Sequence, residues 1–140
     1  MAQFSFIPSG EASELADDLR EVFDELASML STGHRAYSGE CRPTLDVLET
    51  DDDIQVTVDV AGIPASAIRV IFRAGVLLVA GEKAPNASDH SHHFHLVERE
   101  FGRFARAVKL NAALDVQRAS ATLSEGELQI VLPKLTERRG

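Results

Sequence analysis

The chain has 140 residues, enough for one domain with a buried core, and its 44% hydrophobic and 26% charged residues contain no apolar stretch long enough to span a bilayer. Its net charge of −8 argues against a nucleic-acid partner, because such partners require clustered Lys and Arg. The single cysteine, Cys41, excludes an internal disulfide, and residues 1–10 lack the basic start and apolar run of a secretory signal, so a cytoplasmic setting is expected.

The charge is uneven along the chain. Residues 1–40 hold eight acids against two arginines, net −6, whereas residues 41–140 hold fourteen acids against twelve bases, net −2. Within the first part, Leu15, Leu19, Val22, Phe23, Leu26 and Leu30 recur at steps of three and four, which predicts an amphipathic helix over 11–30. Pro8, Ser9 and Gly10 precede it as start signals, acids crowd its first turns where the helix dipole favours them, and Ser31, Thr32 and Gly33 stop it. A polar linker over 34–42 follows, after which the hydrophobic period changes from 3.6 to 2. The expected organisation is an acidic arm over 1–41, a domain over 42–134 and a short tail over 135–140.

The domain reads as eight short strands over 45–49, 54–60, 68–73, 76–81, 94–99, 104–110, 119–123 and 128–132, punctuated by Gly62-Ile63-Pro64, Ala74-Gly75 and Glu125-Gly126. Gly62, Gly75, Gly81 and Gly126 are assigned to reversals or positive-φ positions. Strands at intervals of about ten residues, with no helix-length pattern between them, predict an all-β fold. The expected fold class is an antiparallel, immunoglobulin-like β-sandwich preceded by the amphipathic helix.

Five segments occur in the order of a known family's motifs: Pro43-Thr44-Leu45-Asp46-Val47-Leu48-Glu49; Asp59-Val60-Ala61-Gly62-Ile63-Pro64; Gly75-Val76-Leu77-Leu78-Val79-Ala80-Gly81-Glu82-Lys83; Glu98-Arg99-Glu100-Phe101-Gly102-Arg103-Phe104-Ala105-Arg106; and Ala121-Thr122-Leu123-Ser124-Glu125-Gly126-Glu127-Leu128 with Ile130-Val131-Leu132-Pro133-Lys134. Singly each is generic hairpin chemistry. In this order, over Arg42 to Lys134, the chain resembles the small heat-shock proteins with their α-crystallin domain. Ala61 stands where the family usually has proline, and Glu125 and Glu127 stand where it usually has Asn and Val.

The resemblance implies an ATP-independent chaperone, a holdase without enzymatic activity or cofactor, whose partners are partly unfolded client proteins and a second copy of itself, with neither nucleic acid nor membrane. It implies a homodimer in which residues 84–97 cross over to an edge strand of the mate, with Phe94, Glu98 and Arg106 at the interface and Arg106 paired with Glu98 or Asp89 of either chain. It implies a groove between two edge strands, lined by Ile68, Val70 and Phe72 on one side and by Ser120 and Thr122 on the other. The family's Ile-x-Ile tail motif does not occur in residues 135–140, so dimers or small labile oligomers are expected. Client contact is assigned to Phe4, Phe6 and Ile7 and to Leu15, Leu19, Val22, Phe23 and Leu26 of the helix stripe, since capture of many clients needs adaptable apolar surface; the competing reading is a helix packed on its own dimer mate.

Two other classes compete. His90, His92, His93 and His95 fall within six residues and imidazole ligates Zn, Cu or Ni, so a metal-binding module, or a pH-sensitive loop, is the sharpest rival. A single-partner adaptor of co-chaperone type is the other. No phosphate-cradling glycine loop or Gly-x-Ser-x-Gly elbow supports an enzyme.

Overall fold

The computed structural model describes Arg20, residues 41–85 and residues 93–135. Apart from Arg20, which is helical and exposed, the expected helix over 11–30 lies outside the described residues, as do Phe4, Phe6, Ile7, Leu15, Leu19, Val22, Phe23 and Leu26.

Among the described residues seven strands form two antiparallel sheets: β1 Leu45–Glu49, β2 Asp53–Asp59, β3 Ile68–Arg73, β4 Val76–Lys83, β5 Gly102–Lys109, β6 Ser120–Ser124 and β7 Glu127–Pro133. One sheet has the order β1-β2-β7-β6 and the other β3-β4-β5. In β2 and β7 the period-two pattern is clean: Ile54, Val56 and Val58 face Leu128, Ile130 and Leu132 in register, and all six are buried in the core. Ile68, Val70, Phe72, Leu77, Val79 and Phe104 of the second sheet close that core from the other side.

Two hairpins set the register. Arg73 pairs with Val76 and Ser124 with Glu127, leaving the two-residue turns Ala74-Gly75 and Glu125-Gly126. Both residues of each turn have positive φ, 53° and 77° in the first, 51° and 78° in the second, which is the turn geometry matched to the twist of the flanking strands. Gly81 has a different role from the reversal expected of it. It lies inside β4, and a Cβ there would run into the Ala67 carbonyl and come within 2.6 Å of the Phe104 ring, so the absent side chain is what lets the chain before β3 close over the sheet.

The eighth expected strand, 94–99, is irregular and exposed. A strand exists only as a pairing. β4 and β5, which flank this segment in sequence, pair with each other from Lys83↔Gly102 to Val76↔Lys109, leaving no place between them.

Candidate interaction edges and the exposed segment

β1 is an edge strand of the four-stranded sheet, and it is fixed at both ends. At its start, the Asp59 N–H donates to the Thr44 carbonyl (3.0 Å), and the Thr44 hydroxyl donates to Asp59 Oδ2 (3.2 Å). The Arg106 guanidinium reaches across from β5 to donate to the Pro43 carbonyl at 2.6 Å. At its end, Lys134 Nζ pairs with Glu49 Oε2 at 2.6 Å. The turn into β2 is closed by Thr50, whose Oγ1 accepts from the Asp52 and Asp53 N–H groups (3.1 and 2.9 Å) and donates to Asp53 Oδ1 (2.7 Å). Such a strand presents a pre-ordered ladder of main-chain donors and acceptors on its free side. Val47 and Leu48 on it are exposed.

A second set of exposed apolar side chains, Phe94, Leu96 and Val97, lies on the irregular segment. The base of that segment is anchored. The Arg99 guanidinium lies 5.3 Å, and Lys83 Nζ 5.8 Å, from the centre of the Phe101 ring, distances at which a cation is drawn to a ring face. Gly62, at a φ of 81°, leaves the room Arg99 occupies, since a Cβ there would stand 2.9 Å from its Nη2.

Other expected site residues are placed differently. Arg106 is bound to the Pro43 carbonyl, not to Glu98, whose side chain is exposed, and Asp89 lies outside the described residues. Arg106 therefore ties the three-stranded sheet to the entry of β1. Ile68, Val70 and Phe72 belong to the closed core, and Ser120 and Thr122 point outward from β6. The inward residues of β6 are Ala121 and Leu123, both packed against the core. In a period-two strand adjacent residues take opposite faces, so Ser120 and Thr122 share the side of β6 away from the core. His93 and His95 are exposed, His90 and His92 lie outside the described residues, and among the described residues no group of three or more His, Cys, Asp or Glu is placed to hold a metal ion.

Cys41 sits at the entry to the domain, half-buried, its N–H donating to the Arg103 carbonyl at 3.1 Å. Burial pushes its thiol pKa above the usual range, Lys83 opposes that and Glu100 adds to it.

Sequence reasoning missed β1 as an apolar edge and missed the pinning of its ends. A signal was present in Val47-Leu48: adjacent apolar residues in a five-residue strand cannot both face the core, so one must face outward.

Residues 46–139 match the Hsp20/alpha crystallin family. Heat shock protein 16 of Schizosaccharomyces pombe is 29% identical over 119 residues, covering 84% of this chain and 83% of that protein. Among solved structures, Heat shock protein 16.0 from Schizosaccharomyces pombe superposes with a TM-score of 0.66 at 28% identity, covering 71% of this chain and 93% of that one. A small heat-shock protein from Xylella fastidiosa, described as having a distinct high order structure, gives 0.60 at 32% identity over 69% of this chain and 92% of its own.

Proposed function

Because the chain belongs to the Hsp20/alpha crystallin family of small heat-shock chaperones, we propose that it is an ATP-independent holdase that binds partly unfolded proteins and keeps them from aggregating. The observation that carries this reading is the pairing, within a sandwich of that family, of a rigid open strand edge with a separate exposed apolar segment. Such surfaces bind by main-chain complementarity and apolar contact, without a covalent step, and so without catalysis or cofactor.

The working unit is a homodimer. Phe94, Leu96 and Val97 of one chain add to β1 of the mate, covering Val47 and Leu48, and the mate reciprocates. Strand addition also supplies the ordering that this segment lacks in a single chain. Client contact falls to the arm, through Phe4, Phe6 and Ile7 and the stripe Leu15, Leu19, Val22, Phe23 and Leu26. The arm's six net negative charges would keep loaded particles apart by repulsion. The setting is cytoplasmic; among the described residues no helix is long and apolar enough to cross a membrane.

The test is to heat an aggregation-prone protein without ATP and follow light scattering with the full chain and with its Leu19→Ser/Phe23→Ser variant. Suppression by the parent at equimolar subunits, weakened in the variant, supports the holdase reading and places capture on the arm. Absence of suppression by the parent overturns it in favour of a single-partner adaptor.

A further inference from the structure

The two sheets differ in a way that a simple two-layer sandwich does not explain. In the four-stranded sheet β2 and β7 alternate, buried inward and more open outward. In the three-stranded sheet β4 is buried continuously from Leu77 to Glu82, on both of its faces. Its inward residues Leu77 and Val79 belong to the core cluster. Its outward residues Leu78 and Ala80 do not, yet they are 2% and 0% exposed, and the neighbouring outward residue Ile71 on β3 is 8% exposed. Strands buried on both faces are the mark of a covered sheet. This burial arises within a single chain.

The covered face has a definite chemistry. Ile71 stands opposite Leu78, so an apolar centre runs across β3 and β4, while the outward residues of β5, Arg103, Ala105, Ala107 and Lys109, are exposed beside it. Alternation puts Arg69 and Arg73 on the same face at either end of β3, and Arg103 and Lys109 at the two ends of β5. Four cations thus frame the apolar patch, with Glu82, opposite Arg103, the acid among them.

Composition narrows what can lie there. The exposed apolar residues Phe94, Leu96, Val97 and Leu135 are not buried against anything. Residues 86–92 read Asn-Ala-Ser-Asp-His-Ser-His and residues 136–140 read Thr-Glu-Arg-Arg-Gly, so neither stretch has a large apolar side chain. The arm has both complements: six apolar residues at helical spacing, and seven acids against one arginine within 11–30. It also enters at the right place. The Cys41 N–H is bonded to the Arg103 carbonyl, so the chain leaves the domain at a corner of this face. A twenty-residue helix is about 30 Å long, close to the length of β4 at about 3.3 Å per residue, and a ten-residue linker reaches about 33 Å against a sheet about 10 Å wide.

We propose that residues 11–30 of the arm dock across the outward face of β3 and β4 of their own chain, the stripe Leu15, Leu19, Val22, Phe23, Leu26 and Leu30 over Ile71, Leu78 and Ala80, and the acids against Arg69, Arg73, Arg103 and Lys109. The docking does not rest on the holdase reading.

Two measurements on the full chain test the docking. In hydrogen exchange, amides of 11–30 should be protected, and Arg69→Glu/Arg73→Glu should speed their exchange by about tenfold, as expected when two half-buried cations reverse sign, while amides of 128–132 in the core keep theirs. Arm exchange that ignores the reversal, with the core intact, overturns the proposal. Should the reversal disturb the core, the conservative Arg73→Lys chain decides: a carbodiimide joins a lysine amine to a nearby carboxylate, so peptide mapping should find position 73 linked to an arm acid in a monomer-sized species. A link found only in a dimer-sized species assigns the face to the mate's arm, and no link between position 73 and the arm leaves the face to another occupant; either overturns docking within one chain. If docking is found but light scattering shows no suppression, the holdase reading fails and the docking stands.

Discussion

Leu96→Ala separates the proposed strand exchange from the fold itself. Leu96 is 73% exposed in the single chain, so its truncation removes almost nothing from the monomer's core. In the exchanged dimer it would be covered by the mate. Fully burying a leucine is worth about 1.5 to 3 kcal/mol, so covering the exposed share contributes about 1 to 2 kcal/mol per chain. A two-fold interface counts each substitution twice, giving about 2 to 4 kcal/mol per dimer. At about 1.4 kcal/mol per factor of ten, the dimer dissociation constant should rise by roughly 30- to 1,000-fold. Sedimentation equilibrium over a concentration series measures the constant, and thermal unfolding monitors the fold. The unfolding transition of the variant, extrapolated to the monomer, should match the parent's. A dissociation constant within threefold of the parent's would refute the assignment of 94–97 to the interface.

Gly81→Ala forces a methyl group into the Ala67 carbonyl and the Phe104 ring; overpacking of this kind costs about 1 to 3 kcal/mol, and the midpoint of thermal unfolding should fall by roughly 5 to 20 °C. A midpoint within 2 °C of the parent's would mean that the chain between Ile63 and Ile68 moves aside freely. Glu125→Asn acts the other way: Glu125 holds a φ of 51°, where asparagine is at ease and other side chains are strained, so chemical denaturation should give a gain of about 0.5 to 1 kcal/mol at unchanged m-value. Cys41 should alkylate more slowly than a free thiol, with a rate profile whose midpoint lies above the usual thiol value, because burial disfavours the thiolate. The folded chain then holds this proton more tightly than the unfolded one, so the contribution to stability is complete below the unfolded thiol's pKa and is lost as pH rises through the folded value. An alkylation profile that matches a model thiol would contradict that placement.

Much of the fold was legible, because turn chemistry and period two act locally. Ala74-Gly75 and Glu125-Gly126 marked both tight hairpins, and the alternation in Asp53–Asp59 and Glu127–Pro133 identified the central pair of the larger sheet. What was not legible depends on contacts that a linear pattern does not contain. Residues 94–99 have strand composition, but a strand needs an edge and a single chain offers none between β4 and β5. Gly81 reads as a turn glycine until the Ala67 carbonyl is found above it. Arg106 reads as half of an ion pair at a dimer interface; within one chain its guanidinium donates to a main-chain carbonyl 63 residues away in sequence, a contact no local pattern signals. On β6 the expected groove residues Ser120 and Thr122 face away from the core while Ala121 and Leu123 pack on it, a difference of one position that only the folded strand fixes.

One further signal lay in plain view. Val76-Leu77-Leu78-Val79-Ala80 is a continuous apolar run, unlike the alternating runs of β2 and β7, and a continuous run belongs to a strand covered on both sides. The two proposed associations would then lie on different sheets: the mate at the β1 edge of one, the arm on the outward face of the other. Effects of perturbations at separate, uncoupled sites add within about 0.3 to 0.5 kcal/mol. Leu96→Ala combined with Arg69→Glu/Arg73→Glu should therefore weaken the dimer no more than Leu96→Ala alone, and speed arm exchange no more than the charge reversal alone. Sedimentation and hydrogen exchange on the same triple variant read the two quantities. If the dimer constant shifts further by tenfold or more when the arginines are reversed, the arm and the mate share a surface, and the division of labour between the sheets is refuted.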